Sequence, residues 1–346
     1  MSTVTPDLRT TVAGKAPDGG DQRPPRRLVD TKAPAEKAFL GLTRGSALVV
    51  LAVIALVGIF LGIRAMPALK AAKFSFLTTQ AWQPDIHHFG IAGIIVGTVL
   101  IALVAVIIAV PIALGLSLYI TEVAPAPIRR GLVSLVDLMA AVPSVVYGLW
   151  ALVFLQGRVV GISRWISTWF GWIPLFHVTG ADPSNPVQSG TLYSASTFIV
   201  GIAVSLMVIP ILCSVMRETF SQAPLGEREG AYALGATRWG MIRSVVLPFG
   251  KGGIIGGTML GLGRALGETI VVILIVSPVY TANVHILQSG GNSVSGLIAN
   301  LYGESSSFGT SALMAAGLAL FALTLTINFA ASAVVARSRS GAESDA

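Results

Sequence analysis

The sequence has one cysteine, four histidines and few charges, with Asp, Glu, Lys and Arg making up 11% of 346 residues. A lone thiol, Cys213, excludes an intrachain disulfide and any site built from several thiolates. His87, His88, His177 and His285 lack metal-ligand spacing, and the adjacent pair His87–His88 reads as a feature of an interfacial loop, so no metal site is expected. A phosphate-cradling G-x-x-x-x-G-K-[ST] is also missing, and Gly250-Lys251-Gly252 does not supply one. The run GLGRALG (261–267) has G-x-G-x-x-x-G spacing and no strand before it, so it is not a dinucleotide fingerprint. A soluble chain of this length carries nearer a quarter of its residues charged, about twice what is found here.

What replaces charge is apolar length. Hydrophobic residues make up 53% of the chain. They gather in six blocks, at about 46–66, 91–120, 132–154, 196–216, 252–279 and 311–335. Each is long enough to cross a hydrocarbon core of about 30 Å at 1.5 Å per residue. The predicted class is therefore an all-α polytopic membrane protein with six transmembrane helices. A disordered tail is expected over 1–45, the helical domain over 46–336 and a second tail over 337–346. The first apolar run starts too late for a signal peptide and has no small-residue cleavage site. Thirty-eight glycines suit helices that approach closely in lipid.

Residues 159–176 resemble a seventh span, but Arg164 interrupts them and Trp165, Trp169 and Trp172 fall on one helical face. That pattern suits an interfacial helix within an extracytoplasmic loop, 157–192. With six spans, 17 Lys and Arg residues lie on the side of the two termini, and only Lys70, Lys73, Arg158 and Arg164 on the other. The loop 280–310 has none. The net charge of +7 thus reads as membrane topology and not as a nucleic-acid surface, with both termini and the loop 217–250 cytoplasmic.

That loop contains PLGEREGAYALGATRWGMIRSVVLPFG (224–250), the one long charged segment between two strongly apolar ones. Pro224 suits the first turn of a helix, with Glu227 and Glu229 near its positive end. Gly235 is placed to end that helix, and Thr237 to cap a second one that stops at Pro248. In the fifth block, Gly253, Gly257 and Gly261, and Gly263 and Gly267, recur every four residues as packing positions. Arg264 and Glu268 stand at i and i+4 on the same face as Gly257 and Gly261. Such a pair reads as an ion pair that fixes packing, as an anion path in which Glu268 holds Arg264, or as both. In the third block, Pro143 and Gly148 loosen a helix around Ser144 and Tyr147. Those hydroxyls either line a cavity, or the site is a plain kink with Ser144 bonded to its own backbone. Asp137 reads as a structural partner of Arg129 or Arg130.

The spacing of Glu229-Gly230-Ala231, Gly235 and Leu247-Pro248 resembles the EAA loop of ATP-binding-cassette (ABC) importer permeases, with Gly230 where the pattern has Ala and Val245 where it has Ile. The stretches PSVVYGLWAL (143–152) and GLGRALGETIVV (261–272) look like permeases of the phosphate (Pst) importer. Residues 82–125 look like its C-type subunit, PstC. This resemblance, over about residues 75–335, implies a MetI-like permease fold in the bacterial cell membrane and a non-catalytic subunit that binds no cofactor itself. It implies a second, PstA-like permease, a PstB-like ATPase dimer that holds ATP and Mg²⁺ and grips the helix near 225–234, and a PstS-like phosphate-binding protein outside. Glu229, Gly230, Ala231, Gly235, Leu247 and Pro248 would serve ATPase coupling, and Arg264, Glu268, Ser144 and Tyr147 the substrate path. The rivals are a permease for sulfate, molybdate or tungstate, an ion-coupled secondary transporter, and a membrane scaffold or sensor.

Overall fold

In lipid every backbone N–H and C=O has to find its partner inside the protein, so long apolar runs become helices. The computed structural model describes residues 34–181 and 189–339. Two compact units divide the chain, Met1–Ile54 and Ala55–Ala346, and the packing described here is that of the second.

Thirteen helices appear among the described residues: α1 (Pro34–Ala72), α2 (Ala92–Leu118), α3 (Ala126–Ala141), α4 (Ser144–Trp150), α5 (Gln156–Phe170), α6 (Ser189–Tyr193), α7 (Thr197–Ser221), α8 (Leu225–Ala233), α9 (Arg238–Met241), α10 (Leu247–Leu266), α11 (Ile270–Ile275), α12 (Val294–Leu301) and α13 (Ser307–Arg339). Six helical stretches are long and apolar enough to cross a membrane: Ala38–Leu77, Ala92–Val123, Ser144–Phe170, Thr197–Ser221, Arg238–Leu266 and Ser307–Ala330. The number matches the six predicted blocks, although several boundaries move.

The first helix begins at Pro34, so residues 34–45 are helical where the composition predicts tail. Ala35, Glu36, Lys37 and Leu40 are good helix formers, and Glu36 lies in the first turn, beside the positive helix end. The rest of that tail, the end of the C-terminal one (340–346) and residues 182–188 of the outer loop lie outside the described residues.

The third span also moves. α3 ends where Val142 turns extended (ψ 128°), and Pro143 opens α4. A π-helical turn, Ala151–Leu155, joins α4 to α5 without interruption. Residues 157–170, predicted as part of an outer loop with an interfacial helix, instead continue the helical stretch from Ser144 that is long and apolar enough to cross a membrane. Pro143 removes a helical donor and excludes the preceding turn, so the span restarts there and not at residue 132. Arg158 is carried on this helix with its guanidinium over the Phe154 ring, 4.5 Å from the centroid.

At the centre α2 and α7 pack along most of their lengths. Ala102, Ala105, Ala109 and Ala113 form a fully buried stripe on α2. A Cβ at Gly201 of α7 would run into Val104. Lipid offers no hydrophobic drive between helices, so such close van der Waals contact is what holds them. At the end of α2 where the chain enters it, a hairpin of β1 (Trp82–Gln83) and β2 (His88–Phe89) packs Phe89 edge-on to Phe76, Trp82 and Phe308.

The candidate coupling loop and anion path

The loop between α7 and the fifth span is built from local signals. Pro224 sits at the N-cap of α8, one residue before its first turn. Its far end is a Schellman closure: Ala236 N–H donates to Ala231 C=O at 3.0 Å and Gly235 N–H to Tyr232 C=O at 2.9 Å. Gly235 has φ +82°, which favours glycine. Thr237 then caps α9, its hydroxyl accepting from Gly240 N–H at 3.1 Å. No residue of α8 is buried. Glu229, Gly230, Tyr232 and Leu234 all face outward, and Leu234 is 91% exposed. Ala231 alone rests against the core. The space around Gly230 is open, so the alanine of the EAA pattern would fit there.

The second helix of the loop does not stop at Pro248 as the sequence predicts. α9, a π-helical turn (Ile242–Val246) and α10 form one span from Arg238 to Leu266, with Leu247 and Pro248 inside it. A proline in a helix lacks one N–H and crowds the carbonyl four residues back. The wider π turn just before Pro248 gives that carbonyl room. The candidate coupling loop thus runs directly into the helix that begins the fifth span.

Of the packing glycines, Gly253 and Gly261 press against α7: an added Cβ would collide with Thr219 and with Leu212 and Val208. Gly257 lies on the same side at ordinary contact distance, 3.5 Å from Val215. Gly263 and Gly267, predicted to belong to such stripes, do not touch another helix; Gly263 faces open space and Gly267 caps the end of α10.

α10 ends at Leu266, and this break separates Arg264 from Glu268. The sequence expectation of one continuous helical face is therefore corrected. No ion pair joins them: among the described residues the ion pairs are Arg228–Glu122 and Arg217–Asp137. Glu268 is buried and turns to the next helix, its Oε1 accepting Val271 N–H at 3.2 Å, while its carbonyl accepts the Ser295 hydroxyl at 2.8 Å. Arg264 is exposed and, among the described residues, has no hydrogen bond or ion pair. It lines an open cleft of about 570 Å³ with Ile211, Met259, Leu260, Gly263, Thr324 and Asn328. That cleft lies between α7, α10 and α13.

Ser144 and Tyr147 stand apart from it. Gly148 brings α4 against Val271 and Leu274 of α11. The Tyr147 hydroxyl donates back across the Pro143 break to Met139 C=O at 2.9 Å. Ser144 makes no hydrogen bond to its own backbone, nor to any other described residue. Asp137 pairs with Arg217 at 3.8 Å instead of Arg129 or Arg130, in an exposed setting that contributes about 0–1 kcal/mol. Arg129 donates to Thr121 C=O at 3.0 Å.

The sequence gives no hint of the ion pair that ties the loop to α2. Arg228, the fourth residue of α8, reaches Glu122 at the end of α2, with Nη1 3.2 Å from Oε1 and from Oε2. Its Nη2 donates to Phe220 C=O at 2.6 Å. The Glu122 side chain is 4% exposed and that of Arg228 16%. The two lie 106 residues apart in sequence, beyond any spacing rule.

The model of the family "Binding-protein-dependent transport system inner membrane component" matches residues 109–340. The chain is 36% identical over 319 residues to a protein named phosphate transport system permease protein PstC 2 of Mycobacterium tuberculosis, which covers 91% of this chain and 94% of that protein. It is also 36% identical over 296 residues to the phosphate transport system permease protein PstC of Pasteurella multocida, covering 84% and 89%. Among solved structures, the inward-facing MetNI methionine ABC transporter matches at 14% identity with a TM-score of 0.51, covering 72% of this chain and 95% of that one. A bacterial ABC transporter that imports alginate matches at 21% identity and a TM-score of 0.50, covering 87% and 99%. These two likenesses concern the fold.

Proposed function

The chain belongs to the inner membrane components of binding-protein-dependent transport systems, and from that membership we propose that it is the permease subunit of an ATP-driven phosphate importer. The names of its relatives support phosphate as the cargo. In this reading the bilayer is crossed six times, both termini and the α8 loop lie in the cytoplasm, and a second permease completes the path. An ATPase dimer binds ATP and Mg²⁺ and holds α8, and an extracytoplasmic binding protein delivers phosphate. The chain itself catalyses nothing.

The observation that carries the substrate side is the unclaimed guanidinium of Arg264. A phosphate ion has one to two negative charges near neutral pH and is excluded from an apolar path. An Arg fork offers it paired donors. Because Glu268 is bonded elsewhere, Arg264 needs no release from a partner before it meets an anion. One cation gives passing stabilisation without the hold of a closed site. Ser144 is the one hydroxyl of the α4 start left free to add to the path, since that of Tyr147 is engaged.

Co-purification from native membranes with a second permease, an ATPase and a binding protein tests the assembly. ATP-dependent uptake of labelled phosphate by the reconstituted complex, unaffected by excess sulfate, tests the cargo. Arg264→Gln should abolish uptake in a complex that still assembles. Unchanged uptake refutes the role given to Arg264, and efficient competition by sulfate moves the cargo to another oxyanion.

A further inference from the structure

Most of α8 hangs outside the body of the protein. Of its side chains, only Arg228 makes a hydrogen bond or ion pair with another described residue. That one side chain grips two elements at once, the carboxylate of Glu122 and the last turn of α7 through Phe220 C=O. Glu122 stands in a π-helical turn, Tyr119–Val123, that ends the α2 helix. The carbonyl beside it, that of Thr121, is bound by Arg129 at the start of α3. Phe220, in turn, is fully buried and fills the space that a side chain on Gly250 of the fifth span would need. One guanidinium therefore links the exposed helix to α2 and α7, and through Phe220 to α10.

Resting on the reading of α8 as the ATPase contact, we infer that Arg228 is a positioning residue for coupling, passing the movement of α8 to α2 and α7 through Glu122 and Phe220 C=O. The Schellman turn and α9 already join α8 to the fifth span, so the pair supplies a second line of transmission. Displacing α8 along its axis would drag Glu122, and with it the end of α2, or else break the contact between a buried carboxylate and a half-buried guanidinium. The second course leaves the Glu122 carboxylate, 4% exposed, without its hydrogen-bond partner, which makes following the cheaper one. Arg129, Arg217 and Glu218 line a cavity of about 290 Å³ together with this pair.

The test uses the full complex in proteoliposomes and reads phosphate moved per ATP hydrolysed, for wild type, Arg228→Met, Glu122→Gln and the exchanged pair Glu122→Arg/Arg228→Glu. Each single variant should lower that ratio on the order of tenfold, within the usual range of coupling between sites, and the exchanged pair, which restores the ion pair but not the donation to Phe220 C=O, should recover part of it. A structural role alone lowers the amount of complex and leaves the ratio of the assembled fraction unchanged. Glu122→Gln keeps the shape of the side chain, so assembled complex is available even where Arg228→Met assembles poorly. A wild-type ratio in both single variants, or no recovery in the exchanged pair, overturns the inference. Wild-type complex that hydrolyses ATP and moves no phosphate refutes the functional reading instead.

Discussion

Two prolines preceded by apolar residues, Pro143 and Pro248, meet opposite fates. At Pro143 the chain leaves the helix: Val142 is extended, α3 stops, and a new helix begins at Ser144. At Pro248 the helix runs on, because the π turn Ile242–Val246 has already widened the backbone where the ring would clash. The lesson is mechanical. A proline alone does not make a joint: α2 and α7 run through Pro111 and Pro210, whereas a new helix starts at Pro143. The third span is jointed at its start, whereas the fifth is one shaft from Arg238 to Leu266 with the α8 loop at its end.

Removing the slack should strain the shaft at Pro248. Deleting Ser244 restores α-helical pitch before Pro248 and imposes a cost of about 3 kcal/mol or more, so the span should kink there. Phosphate uptake should fall to background while the separate ATPase remains active, which paired uptake and hydrolysis assays would show. Undiminished uptake would mean that the π turn is incidental. A smaller effect is expected from wedging the shaft off its neighbour. Gly253→Val, facing Thr219, should cost about 1–3 kcal/mol by overpacking, and Gly263→Val, facing open space, much less. Thermal unfolding of the purified chain in detergent compares them, and equal losses would contradict the packing. Smallest is the joint itself: Tyr147→Phe removes the hydrogen bond that spans Pro143 and should lower stability by about 1 kcal/mol in the same measurement.

How much of this was legible follows from distance along the chain. The end of α8 at Gly235 and the cap at Thr237 act over three to five residues, and the sequence predicts both. The apolar blocks are set by composition, so their number is readable and their ends are not. Pro248 looked like a stop because the rule for proline assumes an α turn before it, and nothing local announces a π turn. Glu268 shows a subtler failure. Its bond to Val271 N–H is a three-residue capping pattern present in the sequence, hidden by assuming that the helix carrying Arg264 continued. Arg228 and Glu122 meet only once α2 and α7 have packed.

The break after Leu266 has a consequence for sequence change. Arg264 stands in the last turn of one helix, where the terminal carbonyls favour a cation, and Glu268 accepts a backbone donor of the next. Each charge is supported by its own helix end and not by the other. Losing either one therefore does not strand its counterpart, and whatever constrains Arg264 comes from its place in the proposed path and not from Glu268. Glu122 and Arg228 have no such freedom: a single substitution leaves a buried charge behind, so exchange at those positions has to come in pairs.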